Sequence, residues 1–241
     1  CNGGTWRGRK LGTIGAMGIF SLQLNKNMTS GEGGLVITND DRLAERAFAA
    51  HDMGLIRVKG RLAPPSPENI MWGGGRRMNE LSGALAFVQM GRLPSIVDHM
   101  RRSRDRIKSL IADTPGIGFR RLTDPEGSTG PFIILVLESE AKALDTVARL
   151  KDGGLHNVFR IAEYGLHIYS NITPLVQKVP LSPAGNPWNL AANATASYDY
   201  SKGACPQSDA FFARSVLIPV PSRLTPAQED EAAEVIRKAV G

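Results

Sequence analysis

Lys26 ends an alternating run, Ile19-Phe20-Ser21-Leu22-Gln23-Leu24-Asn25-Lys26, and is followed by Thr29-Ser30-Gly31-Glu32-Gly33-Gly34. A lysine amine attacks carbonyl groups and accepts protons once it has lost its own, a state that desolvation or a neighbouring cation favours near neutral pH. Alternation at period two predicts a half-buried strand. On it, Ile19 is followed by Phe20, Leu22 and Leu24 on the core face, while Ser21, Gln23 and Asn25 point the other way. A hydroxyl, two amides and an ammonium leading into a glycine-rich turn make a polar pocket. The competing reading is a solvated sheet face ending in a surface lysine. Gly31, Gly33 and Gly34 are expected to turn the chain, because glycine admits positive φ without strain. Residues 34–39 read as the return strand, and Glu32 as a structural cap on backbone donors of the turn.

The elements that must position this lysine follow along the chain. Asp40 or Asp41 can cap a helix through Leu43, Ala44, Ala47 and Phe48 that ends near Gly54. Residues 56–75 form a long loop rich in proline and glycine, with Pro64, Pro65, Pro67 and Gly73-Gly74-Gly75. Loops of that length inside a domain are commonly functional or mobile. Met78, Leu81, Leu85 and Val88 predict an amphipathic helix that Pro94 interrupts. A second helical pattern follows with Ile96, Val97, Met100, Ile107, Leu110 and Ile111, and it reads as a crossover into a smaller domain. Residues 132–137 predict a buried strand, 141–150 a helix with Leu144, Val147 and Ala148 inward, and 215–219 another strand. Thr225-Pro226-Ala227-Gln228 is a capping box that starts the last helix. Strands and helices alternating in this way indicate α/β layers.

Composition narrows the function classes. The 241 residues suffice for one large or two modest domains and carry a net charge of +6. No run approaches the length of a transmembrane helix. The two cysteines, Cys1 and Cys205, are too few for a disulfide framework, and no metal-ligand spacing appears among His51, His99, His156 and His167. The basic residues cluster at Arg76-Arg77 and at Arg101-Arg102-Ser103-Arg104-Asp105-Arg106. Without aromatic interleaving or a recognised module, the second cluster reads as the solvated face of a helix and not as a nucleic-acid site. All four tyrosines (Tyr164, Tyr169, Tyr198, Tyr200) fall with His167 and Trp188 in one irregular segment, where they either stack on a sugar or pin the loop to the core.

Taken together, Ser-x-x-x-x-Lys before Thr-x-Gly-Glu-Gly-Gly at residues 21–34 resembles the cofactor-anchoring lysine segment of the DegT/DnrJ/StrS family, the pyridoxal-phosphate (PLP) sugar aminotransferases of fold type I. Residues 3–12, His51-Asp52-Met53-Gly54, Arg77-Met78-Asn79-Glu80-Leu81, Cys205-Pro206, Leu217-Ile218-Pro219-Val220-Pro221 and Leu224-Thr225-Pro226-Ala227-Gln228 extend the likeness. The resemblance implies a three-layer α/β fold: the C-terminal part of the PLP-binding large domain over residues 1–93, then a small α+β domain over 94–241. It implies that Lys26 is the catalytic residue, anchor and general base in one. Ser21 would give its hydroxyl to the cofactor phosphate, and Arg77, His167 and Tyr169 would meet substrate. Gly75 stands where the family usually has an asparagine that reaches the other subunit's cofactor phosphate, which puts that contact in doubt; Arg76 is the candidate replacement. The surface-arginine alternative for Arg77 is a pair with Glu80.

The family supplies an Asp-x-x-Gln aspartate for the pyridine nitrogen ahead of residue 1. The expectation is therefore a C-terminal part of a longer enzyme or a truncated gene, which alone binds PLP poorly and turns over little or nothing. The implied activity is amination of a keto or aldehyde sugar with glutamate as donor, in amino-sugar and lipopolysaccharide or polysaccharide biosynthesis. The protein would be a cytoplasmic homodimer with no nucleic-acid or membrane partner. The branch most resembled acts on an eight-carbon octulosonate sugar acid. Two rivals stand: a PLP-dependent sugar dehydratase, against which Lys26 argues because such members carry histidine there, and a catalytically inactive binding or regulatory remnant.

Overall fold

A computed structural model describes residues 2–64, 70–193 and 197–241. Cys1, Pro65 and Pro67 lie outside the described residues. The chain divides into two compact units, one made of Cys1–Arg102, Leu122–Pro131 and Pro221–Arg223, the other of Ser103–Arg121, Phe132–Val220 and Leu224–Gly241.

Among its described residues the first unit contains three antiparallel hairpins: β1 (Thr5–Trp6) with β2 (Arg9–Lys10), β3 (Gly18–Ser21) with β4 (Gly34–Ile37), and, after helix α1 (Asp41–His51), β5 (Arg57–Val58) with β6 (Arg61–Leu62). It also holds the first two-thirds of α2 (Glu80–Ile111). In the register of β3 and β4, Gly18 lies opposite Ile37 and Ser21 opposite Gly34. Gly18 is obligatory, since a Cβ there would strike the carbonyl of Gly12. Asp40 caps α1 by accepting from the Leu43 N–H at 3.0 Å. At the other end of α1, the N–H groups of Gly74, Gly75 and Arg76 donate to the carbonyls of Ala50, Asp52 and His51 at 2.6–2.7 Å. The end of the long loop thus satisfies carbonyls that a helix terminus leaves without partners.

Three expectations change here. The strand predicted to reach Lys26 stops at Ser21, so Leu22 is fully buried while Leu24 is 66% exposed. The chain curls into a loop after Ser21, and period-two alternation no longer describes it. Pro94 does not interrupt the helix, because α2 runs unbroken through it for 32 residues. Its ring lies on the exposed side, and buried Ala86 and Val97 hold the helix before and after it. The apolar row of α2 is not inward either: Leu81, Leu85, Phe87 and Val88 are exposed, as are Ile19 and Trp72.

The second unit is built on a four-stranded antiparallel sheet in the order β7 (Gly118–Phe119), β8 (Phe132–Val136), β10 (Ser215–Pro219), β9 (Phe159–Arg160). Helices α3 (Glu140–Asp152) and α6 (Pro226–Val240) contribute Ala143, Val147, Leu150, Ala233 and Ile236 to the core on one face, together with Ile107 and Ile111 from the end of α2. Ile133, Leu135, Val216 and Ile218 point into that core, while Ile134 and Leu217 enter a second cluster with Ile161 and Ile168. A strand covered on both faces reads as a continuous apolar run, which is what residues 132–137 show. Two short helices, α4 (Thr173–Val176) and α5 (Pro206–Ala213), complete the unit.

The capping box at Thr225 forms as the sequence indicates. Within α3 the inward face is Ala143, Thr146, Val147 and Leu150, whereas Leu144 and Ala148 are exposed, so the helix is rotated from the expected phase. The basic run also differs from a solvated face. Arg104 is 5% exposed and pairs with Asp105, and Arg106 reaches Glu229 and Asp230 at 3.3 and 2.8 Å.

Leu135 is fully buried at the centre of this sheet. Leu135→Ala is expected to lower stability by about 2–5 kcal/mol, the range for deleting a close-packed leucine, read as a reduced urea midpoint at unchanged slope.

Candidate active site

Lys26 sits on a loop held by its buried ends. Leu22 and Met28 are 0% and 4% exposed and cluster with Ala86. The Leu22 N–H donates to the Gly33 carbonyl at 2.9 Å, and the Leu22 carbonyl accepts from the Ser30 N–H and the Thr29 hydroxyl, both at 3.0 Å. The Asn2 side chain, on a residue 7% exposed, donates to the carbonyls of Ser21 and Met28 at 3.2 and 3.3 Å. Inside the loop, the Lys26 N–H donates to the Gln23 carbonyl at 3.0 Å, and the Gln23 amide oxygen accepts from the Asn25 N–H at 3.0 Å. Gln23 and Asn25 thus build the turn under Lys26.

The glycine-rich turn closes the loop. Gly31 and Gly33 have φ of 86° and 144°, while Gly34 already belongs to β4. A Cβ on Gly33 would lie 2.8 Å from the Met78 sulfur. The backbone donor of the turn is capped by the Thr29 hydroxyl, which accepts from the Gly31 N–H at 3.0 Å, and not by the Glu32 carboxylate expected to do so; the Ser30 hydroxyl donates to the Glu32 carbonyl at 3.1 Å.

Lys26 lines a cavity of about 530 Å³ with Asn27 and Thr29. The opposite wall is a helical stripe of α2: Gln89, Arg92, Ser95, Ile96, Asp98, His99 and Arg102. Ser222 and Arg223 complete it. Arg102 pairs with Asp98 at 3.1 Å, and the side-chain oxygen of Gln89 is buried without a hydrogen-bond donor among the described residues. Sequence reasoning missed this wall. Its signal was there in polar residues three or four apart, Gln89, Arg92, Ser95 and His99, a spacing that shares one helix face.

The other candidate residues lie elsewhere. Ser21 ends β3, is exposed, and accepts from the Gln23 N–H at 3.3 Å; it does not line the Lys26 cavity. Arg77 opens on a second cavity of about 1050 Å³, with Arg76, His51, Phe48, Val36 and Asn79 among its walls. Its guanidinium, largely exposed, pairs at 3.3 Å with the buried Asp52 carboxylate and not with Glu80. Gly75 has a φ of 59°, which suits glycine better than asparagine.

In the second unit His167 is exposed and lies against Tyr164, with ring centroids 4.4 Å apart, and Tyr164 lies against Phe159 at 5.0 Å. The Tyr169 hydroxyl donates to Asp209 at 2.9 Å and accepts from the N–H groups of Gly203 and Cys205 at 3.2 Å. Desolvation, reinforced by the Asp209 carboxylate, raises its pKa above the ordinary phenol value. Trp188 donates to the Val179 carbonyl at 3.2 Å and lies 6.1 Å from Tyr200, which stacks on Tyr198. These aromatics brace the irregular segment. Among the described residues no cluster of His, Cys, Asp and Glu could hold a metal ion, and no helix is long and apolar enough to cross a membrane.

Comparison with known proteins bears on this arrangement. The chain is 33% identical over 138 residues to the L-glutamine:2-deoxy-scyllo-inosose aminotransferase of Streptomyces kanamyceticus, an alignment that takes in 53% of this chain and 30% of that protein. Among solved structures, the aminotransferase TlmJ from Streptoalloteichus hindustanus superposes with a TM-score of 0.68 at 19% identity, over 97% of this chain and 54% of that one. The E. coli GDP-4-keto-6-deoxy-D-mannose-3-dehydratase with bound hydrated PLP does so with a TM-score of 0.72 at 16% identity, over 97% and 57%. The chain thus spans under a third of this curated relative and a little over half of these two structural neighbours. A profile of the DegT/DnrJ/EryC1/StrS aminotransferase family matches residues 1–172. With its lysine loop, its α/β layers and that match over most of its length, the chain belongs to the DegT/DnrJ/EryC1/StrS aminotransferase family and has the fold of the fold type I aminotransferases.

Proposed function

We propose that the protein of which this chain is part transfers an amino group to a keto or aldehyde sugar with PLP as cofactor, and that Lys26 is the residue on which the reaction turns. The observation that carries this reading is the placement of Lys26 on a clamped loop facing a polar, cation-rich cavity. A volume of about 530 Å³ is within the usual range for a small-molecule site.

The residues present fit PLP: a lysine amine for its aldehyde, and the exposed Ser21 hydroxyl, five residues before Lys26, for its phosphate. When bound, the cofactor supplies the electron sink for breaking and making bonds at the substrate α-carbon. The Lys26 Nζ would hold the group and would move a proton at the substrate α-carbon. The Leu22 and Asn2 clamps fix where that nitrogen can reach. Arg77, held by Asp52, is the proposed holder of an anionic substrate group through its paired N–H donors. His167 and Tyr169 are proposed on the substrate side, and glutamate as donor. Homodimer formation, a cytoplasmic setting and a role in polysaccharide biosynthesis belong to the same proposal. A dehydratase is the second reading, supported by the likeness to the dehydratase structure. Lys26 favours amination, because a lysine amine can be both the covalent anchor and the proton carrier.

Incubation of the intact parent protein with PLP and borohydride is expected to fix one cofactor on Lys26, seen by peptide mass mapping, and Lys26→Ala to abolish the adduct. Labelling elsewhere, or none, overturns the assignment. Asn2→Ala removes both side-chain bonds to the loop. It is expected to cost about 1–3 kcal/mol in urea unfolding and to lower the yield of the Lys26 adduct at limiting PLP.

A further inference from the structure

The Lys26 cavity holds more positive charge than one amine explains. Lys26, Arg92, Arg102 and Arg223 all line it, against one carboxylate, Asp98, which is taken up by Arg102. Arg92 and Arg223 are exposed, come from separate stretches of the chain, and have no ion pair with a carboxylate among the described residues. Guanidinium groups brought to one cavity wall repel each other unless an anion joins them, and their planar forks match carboxylate and phosphate oxygens. Gln89 lines the same cavity with a buried carbonyl oxygen that lacks a donor, an arrangement that costs free energy until a hydroxyl or N–H meets it. Ser21, the proposed partner of the cofactor phosphate, does not line this cavity.

We propose that Arg92 and Arg223 form an oxyanion subsite of the Lys26 cavity and that Gln89 accepts from a hydroxyl of the same ligand. The ligand class is a polyhydroxylated acid, a sugar that carries a carboxylate or a phosphate. This rests on the aminotransferase reading for the identity of the ligand as substrate, but the binding itself does not need the cofactor.

The experiment titrates the intact parent protein with D-gluconate, glucose 6-phosphate and the neutral polyol D-glucitol by isothermal calorimetry at low salt. The titrations are made before and after PLP and borohydride treatment, and repeated on Arg92→Gln/Arg223→Gln and on the single variant Arg223→Glu, with far-UV circular dichroism to confirm folding. Both charged ligands, or one of them, should bind at least about tenfold tighter than D-glucitol, since charge-assisted bonds are the stronger kind. The variants should lose that preference. Tighter binding of gluconate identifies a sugar acid, and of glucose 6-phosphate a sugar phosphate. Equal binding of D-glucitol, unchanged affinity in the folded variants, or loss of the site once the cofactor is fixed would each overturn the subsite. If Lys26 is not labelled while binding still depends on Arg92 and Arg223, the subsite stands and the amination reading falls. If Lys26 is labelled and the arginines do not matter, the reverse holds.

Discussion

Leu22 is the residue on which the lysine loop hangs. Its side chain is fully buried, and its N–H and carbonyl are both committed, one to Gly33 and the other to Ser30 and Thr29. Ordering a loop costs about 1–2 kcal/mol of backbone entropy per residue, so a reactive side chain on open coil would have no fixed position. Here the burial of Leu22 and Met28 and the Asn2 bonds offset that cost, and Lys26 can be exposed and yet placed. The Gly33 turn, the β3–β4 pairing and the packing of α2 against the loop all serve this one anchoring.

The same constraint explains what the sequence made legible. The glycine turn, the capping box, the 132–137 and 215–219 strands and the last helix were all readable, because each depends on local pattern or on burial from both faces. The extent of the first strand was not. Alternation through Leu24 looks like sheet, but Leu22 turns inward and Leu24 outward, and the non-local bonds of the loop to Asn2 and Gly33 decide that. Pro94 misled in the other direction, since propensity argues for a break that packing at Ala86 and Val97 overrides.

For the candidate site the sequence named single residues and not their arrangement. Lys26 and Arg77 face different cavities, and Arg77 pairs with Asp52, a partner 25 positions earlier in the chain that no helical spacing could indicate. The arginines beside Lys26 were hidden for a physical reason. Arg92, Arg102 and Arg223 stand far from Lys26 in the chain, and folding alone brings them to one cavity. The Asp52–Arg77 pair also shows how the long loop is used. Its last residues close the end of α1, and that closure fixes the direction in which the guanidinium leaves the backbone.

The hydrocarbon left facing water on the first unit has a practical side. Trp72, Leu81 and Ile19 are each more than four-fifths exposed, and among the described residues the β3–β4 pair is a sheet of two strands. Contact between such surfaces strengthens as the temperature rises from the cold, because the aversion of water to hydrocarbon fades on chilling. Dilute, ice-cold buffer is accordingly the mildest medium for this polypeptide, and warm, concentrated or sulfate-rich solution the one in which its molecules adhere.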